Sequence, residues 1–218
     1  MDWTESDKLT WVPRFEAFLA GSQTDGAHDL GHVRRVALAA ERFARADGAE
    51  LSVVMPAAWL HDCVAVPKDS PLRSQASRLA ARAACDFLRQ CGWDESLLDA
   101  IAHAIEAHSF SAGLEPTTLE ASIVQDADRL EALGAIGLCR CIATGERMNR
   151  PLFHPDDPFW QAREPDDGRW SLDHLPVKLL RLEATMRTPA GRAEARRRTA
   201  FLEAFLEELR RELPDGVR

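Results

Sequence analysis

Apolar residues recur at spacings of three and four along most of the chain, the period of an amphipathic α-helix, and no segment alternates as a half-buried strand does. A first helix is predicted from about Asp7 to Leu19, with Trp11, Phe15, Phe18 and Leu19 inward and Gly21 as a stop. A polar loop, Ser22 to Ala27, leads to a second helix from about Leu30 to Asp47. Its apolar face holds Val33, Val36, Ala37, Ala40 and Phe43, and Gly48 ends it. A third helix, about Leu51 to Asp62, turns Leu51, Val54, Met55 and Ala58 inward. After a loop at Pro67 to Pro71, an Ala-rich helix runs from about Leu72 to Gln90, followed by another from about Glu95 to Ala107. Two more cover about Thr118 to Leu133 and Ala135 to Thr144.

The stretch from Asn149 to Leu172 breaks this pattern. It holds Pro151, Pro155, Pro158, Pro165 and Gly168 together with Phe153, Phe159, Trp160 and Trp170. Such a composition reads as an ordered loop or lid rather than a free linker. Helix returns at about Leu175 to Met186 and again from Pro189, a residue suited to a first turn, to Leu213. The expected fold class is all-α, a helical bundle in one domain spanning residues 1–218. Its core is about residues 25–145, followed by the loop at 149–172 and C-terminal helices over 173–213.

Composition narrows the function classes. With 27 basic and 35 acidic residues the formal net charge is −8, so a nucleic-acid polymer is not an expected partner. Hydrophobic residues make up 45% of the chain, enough for a real core. No apolar run reaches the length of about 18 residues that a membrane helix needs, and Met1-Asp2-Trp3-Thr4-Glu5 lacks the features of a signal peptide. The expected location is the cytoplasm, with no membrane partner. The cysteines, Cys63, Cys85, Cys91, Cys139 and Cys141, are odd in number and form no C-x-x-C pair, so free thiols are expected. The run Arg196-Arg197-Arg198 lies among acidic residues and reads as a solvated face.

Candidate chemistry begins at His61-Asp62, two polar residues closing an apolar helix. Adjacent helical residues point about 100° apart, so a metal ion in that angle can take one ligand from each. Imidazole with carboxylate suits borderline divalent ions such as Mn, Fe, Co, Ni or Zn. His32 lies on the inward face of the preceding helix, in phase with Val36, Ala39 and Phe43, and His28 lies one turn earlier. Downstream, Ile123-Val124-Gln125-Asp126-Ala127-Asp128-Arg129-Leu130 sets two carboxylates into an apolar helix. They point about 200° apart, so only one can face a given site, and helical phase leaves Asp126 and Asp128 both open.

The ordered set Asp29-x-x-His32-x-x-Arg35-Val36, His61-Asp62 and Ala127-Asp128-Arg129-Leu130 resembles the H…HD…D signature of the HD-domain superfamily of metal-dependent phosphohydrolases. The stretches from His103 to Ser111 and from Ile123 to Gly137 look closest to its small bacterial YedJ/YpgQ-like branch. The likeness covers about residues 10 to 210 and implies that the metal ligands are His32, His61, Asp62 and Asp128, with Asp126 beside them. The implied cofactor is a divalent transition metal, Mn favoured, with Fe, Co, Ni, Zn or Mg as alternatives. Such an ion acidifies water and neutralises phosphoryl charge, so cleavage of a phosphoester or phosphoanhydride is the expected reaction. The expected partner is a small phosphorylated substrate, a nucleotide, and a homodimer is compatible with the sequence.

Asp62, Asp126 and His108 are the candidate catalytic residues. Lys68, Arg73, Arg129 and His103 are the candidate substrate contacts, with Arg35 a weaker one. His103 and His108 are five apart, about 140° around a helix, so one ion cannot take both unless the helix ends between them. His154 and His174 flank the Pro-rich loop and are assigned to structure. Several HD hydrolases carry an acidic residue shortly after His-Asp, where this chain has Cys63-Val64-Ala65-Val66. That leaves activation of water to the ion itself, helped by Asp126 or a second ion. The branch resemblance implies nucleoside triphosphates as substrates, with release of pyrophosphate. A nucleotidase or cyclic-nucleotide hydrolase is the alternative. The absence of tyrosine rules out a Gly-Tyr-Pro motif and disfavours cyclic dinucleotides. A non-catalytic nucleotide-binding module would be expected to have lost a ligand, and none is lost.

Overall fold

The structure is a computed structural model describing residues 3–21, 30–67, 70–109 and 112–214. It is all-α, and no strand occurs among the described residues. The chain divides into two compact units, residues 1–128 with 187–190, and residues 129–186 with 191–218.

The first unit is arranged around α3 (Leu51–Leu60), which has no charged residue and is buried at all ten positions. A helix apolar on every side is stable only when surrounded. Here α1 (Glu5–Ala20), α2 (Leu30–Asp47), α4 (Ala76–Gln90) and α5 (Leu98–His108) all pack against it. On α2 the buried set His32, Val33, Val36, Ala37, Ala40, Phe43 and Ala44 follows the helical period and carries one imidazole inward with the apolar face. Thr4 starts α1 through a capping box with Asp7. Aromatic contacts then fix α1: Phe15 lies 6.0 Å from both Trp11 and Trp59, and Phe18 stacks on Phe87 at 4.2 Å. The last helix of this unit is α6 (Leu119–Arg129), shorter than the predicted 118–133 because residues 130–132 tighten into a 3₁₀ turn.

In the second unit that turn leads into α7 (Gly134–Arg147). Two glycines are required there. Gly134 has φ +70°, and a Cβ on Gly137 would sit 2.2 Å from the Ala132 carbonyl. The predicted helix over 175–186 is not continuous. It is replaced by α8 (His174–Val177) and two 3₁₀ turns, Leu179–Arg181 and Glu183–Thr185. Pro176 supplies no N–H, and Lys178 leaves the helical region at φ −133°, ψ −57°. The final helix, α9 (Pro189–Glu212), starts at the proline as predicted. Arg196 pairs with Glu183, and Arg197 and Arg198 with Glu194, so the triple-arginine run is an ion-paired face. All five cysteines are free.

Asp173 organises the Pro-rich stretch. Its buried carboxylate accepts from the Arg163 guanidinium (2.9 Å for one of its two bonds), the Trp160 indole N–H at 2.7 Å and the Asp166 N–H at 2.6 Å. Asp157 caps the turn by accepting from the Gln161 and Ala162 N–H groups. His154 accepts from the Asp156 and Asp157 N–H groups, and His174 pairs with Asp167, so both histidines serve the loop's own structure. Burial alone would raise the Asp173 carboxyl, but these donors hold it below the usual carboxylate range. A depressed value means that the stabilisation is complete above the unfolded value, about 3.9, and is lost as pH falls through the folded one. Asp173→Asn turns an NH2 group toward donors. It is expected to lower stability at pH 7 by about 3 kcal/mol and to remove part of the acid sensitivity, as read by urea unfolding at pH 7 and pH 3.

Candidate metal centre

The end of α3 builds the centre. Regular helix stops at Leu60, and His61 follows with αR dihedrals (φ −55°, ψ −34°) as the C-cap. The His61 ring has no exposed surface, and its Nδ1 lies 2.9 Å from the Ala58 carbonyl. A carbonyl can only accept, so Nδ1 carries the proton and Nε2 presents its lone pair. His108, the last residue of α5, repeats the arrangement with Nδ1 2.5 Å from the Ile105 carbonyl.

The free ring nitrogens converge with two carboxylates. His32 Nε2 lies 3.3 Å from His61 Nε2 and 3.5 Å from Asp128 Oδ1, which is 3.8 Å from His61 Nε2. Asp62 Oδ2 is 3.6 Å from His61 Nε2, and Asp62 Oδ1 is 3.5 Å from His108 Nε2. Two overlapping groups, His32–His61–Asp128 and His61–Asp62–His108, could each hold an ion. Ligands about 2.1 Å from a divalent ion are separated by roughly 3.0–3.5 Å along the edges of its coordination polyhedron; the donor spacings lie within this range or up to about 0.3 Å beyond it. The imidazoles are buried, whereas the Asp62 and Asp128 side chains are 26% and 30% exposed. The carboxylate side of the cluster is therefore reachable from solvent.

Electrostatics points the same way. Burial pushes the His61 imidazole down to about 4, outweighing the pull of Asp62 and Asp128, so this ring is neutral and ready to ligate. Burial also works against a charged His108, but the hydrogen bond and charge of Asp62, with the charge of Asp128, raise it to about 9. Two carboxylates facing three imidazoles call for positive charge, which a proton on His108 or a divalent cation can supply.

The structure thus brings together four predicted ligands, His32, His61, Asp62 and Asp128, and adds His108. Asp126 is not brought into the cluster. Its fully buried carboxylate accepts from the Arg187 and Thr188 N–H groups and the Thr188 hydroxyl. Asp126 is outside both groups, and these bonds tie it to residues 187–188; two residues apart on one helix, its side chain points about 200° from that of Asp128. His103 Nε2 lies 3.0 Å from the Thr117 N–H and 2.9 Å from its hydroxyl, and so secures the residues that follow α5. Arg73 donates to the Val66 carbonyl and Arg129 to the Thr185 carbonyl. Arg35 is half-buried on α2. His28 and Lys68 lie outside the described residues. Sequence reasoning missed Gln125 and Arg187, although a buried-phase Gln inside an apolar helix is a detectable signal.

The HD domain family pattern matches residues 29–133, a span that holds His32, His61, Asp62, His108 and Asp128. YpgQ, an uncharacterized protein of Bacillus subtilis (strain 168), is 30% identical over 209 residues, which cover 94% of this chain and 91% of that one. Among solved structures, Bacillus subtilis YpgQ in complex with ADP is similar with a TM-score of 0.67 at 27% identity, over 94% of this chain and 93% of that one. An HD-superfamily hydrolase from Bacillus thuringiensis is similar with a TM-score of 0.69 at 29% identity, over 92% and 96%. Likeness across nearly the full length of both chains, joined to the ordered His, His-Asp and Asp residues converging in one cluster, places this chain in the HD domain family.

Proposed function

We propose that this protein is a metal-dependent phosphohydrolase acting on nucleotides, with hydrolysis of nucleoside triphosphates to monophosphate and pyrophosphate as its favoured reaction. The observation that supports the reading is that His32, Asp128 and Asp62 each place a ligand atom 3.3–3.8 Å from His61 Nε2, in two overlapping groups that share this ring, with only the carboxylates reachable from solvent. A relative binds ADP, which favours a nucleotide over other phosphoesters. A divalent ion held by these four residues, Mn²⁺ favoured, would acidify water and neutralise phosphoryl charge.

The chain's own residues divide the remaining work. His61 is held neutral by burial and oriented by Ala58, so its Nε2 is a fixed donor. Asp62 offers one oxygen to the side of His61 and the other to His108. His108, its Nε2 3.5 Å from a solvent-reachable carboxylate, is placed to contact a phosphate oxygen or pass a proton to the leaving group. Lys68 and Arg73 are assigned to the substrate phosphates, and His103 to securing the residues that follow α5. Water adding to the α-phosphorus would form a new P–O bond as the α–β anhydride bond breaks; the electron pair leaves on pyrophosphate, and the proton given up by the water passes to solvent or to the leaving pyrophosphate.

Two outcomes are expected. His61→Ala and Asp128→Ala should each retain little Mn²⁺ after gel filtration, measured by atomic emission, while far-UV circular dichroism stays largely helical. Retained metal in Asp128→Ala would remove that residue from the ligand set. A panel of nucleoside mono-, di- and triphosphates incubated with the Mn²⁺-loaded protein should yield pyrophosphate and monophosphate from the triphosphates, and nothing with EDTA. Phosphate and nucleoside from monophosphates would make it a nucleotidase instead. Binding with no product from any nucleotide would make it a binding module.

A further inference from the structure

Residues 187–190 belong to the first unit, although the chain on either side of them belongs to the second. The polar groups of Arg187 and Thr188 turn mainly to α6, while the Ala190 N–H donates to Asp47 of α2 at 3.2 Å. The Asp126 carboxylate, two residues before Asp128, accepts from the Arg187 N–H at 3.0 Å to each oxygen, the Thr188 N–H at 2.8 Å and the Thr188 hydroxyl at 2.9 Å. The Arg187 side chain continues the path. Its Nε donates to Gln125 Oε1 at 2.9 Å, and its guanidinium also pairs with Glu115. Gln125 Nε2 then donates to the Ala107 carbonyl at 2.7 Å.

Ala107 immediately precedes His108 at the end of α5, where helix carbonyls lack partners within the helix. Only one amide orientation of Gln125 gives a donor to that carbonyl and an acceptor to Arg187, so the side chain is locked. The fork of a guanidinium is also needed, because Nε and a terminal nitrogen serve different acceptors at once. The path therefore ends one residue from His108 and two from Asp128, and it touches neither. We propose that Arg187 and Gln125 are positioning residues that hold α6, with the ligand Asp128, in register with the end of α5, whose His108 faces the ligand Asp62. The inference rests on the metal reading above and is new in placing part of its control in a segment distant in sequence.

The test uses Co²⁺ and no substrate. The full-length apo-protein is titrated with Co²⁺ against a competing chelator, and the visible spectrum records the coordination geometry. Arg187→Met removes the path, and Gln125→Glu keeps a partner for Arg187 while facing an oxygen against the Ala107 carbonyl. Both are expected to bind Co²⁺ about tenfold more weakly, with altered visible bands, and Arg187→Lys to recover part of the loss. Arg163→Met, which breaks an ion pair of the second unit, supplies the comparison: lowered stability with unchanged Co²⁺ affinity and spectrum. Wild-type affinity and spectrum in the folded Arg187→Met and Gln125→Glu proteins would overturn the proposal and leave the metal reading intact. If Arg187→Met does not fold, Gln125→Glu decides alone. Failure of the wild-type protein to take up Co²⁺ would overturn both.

Discussion

A histidine ring without exposed surface, at the end of a helix apolar on every side, is the constraint to which the first unit is fitted. An imidazole in such surroundings is costly unless both nitrogens have work. One is satisfied by the Ala58 carbonyl within its own turn. The other faces His32, Asp62 and Asp128, which come from three separate chain segments. The placement of α2 and α6 around α3 therefore has a polar requirement as well as an apolar one. The apolar faces set which helices pack, and the second nitrogen sets where their polar residues must meet.

The same arrangement accounts for the division between rigid and accessible parts of the cluster. Imidazoles enter from the core side, where carbonyls of the preceding turn fix the tautomers of His61 and His108. Carboxylates complete the cluster toward solvent, where a phosphate could approach. Such a centre is preorganised by packing and backbone hydrogen bonds rather than by long flexible side chains, which is what a fixed coordination geometry asks of a protein.

Outside the cluster, buried carboxylates act as structural hubs. Asp173 gathers an arginine, an indole and a backbone N–H inside the Pro-rich stretch of the second unit. Asp126 gathers the backbone of Arg187 and Thr188 in the first. In each case a segment with little regular structure is ordered by donors converging on one anion, and such charge-assisted bonds are among the strongest available to irregular backbone.

The sequence by itself determined most of the helices, because a period near 3.6 and the stop at Gly48 are local properties: α2 has its predicted bounds, and α3 its predicted start. It also determined which residue types could form the centre, since inward His32 and the polar pair closing α3 stand out against apolar neighbours. Local reasoning failed over 175–186, where Lys178 leaves the helical region and regular helix gives way to short turns. It could not choose between Asp126 and Asp128 from phase, because each shares its helical face with apolar residues in the sequence. The family likeness pointed to Asp128, and the tertiary structure supplies the physical reason by giving the two side chains different partners: His32 and His61 to Asp128, and the backbone donors of residues 187–188 to Asp126. A side chain's role here depends on which donors meet it across the core, and those come from segments far away in sequence.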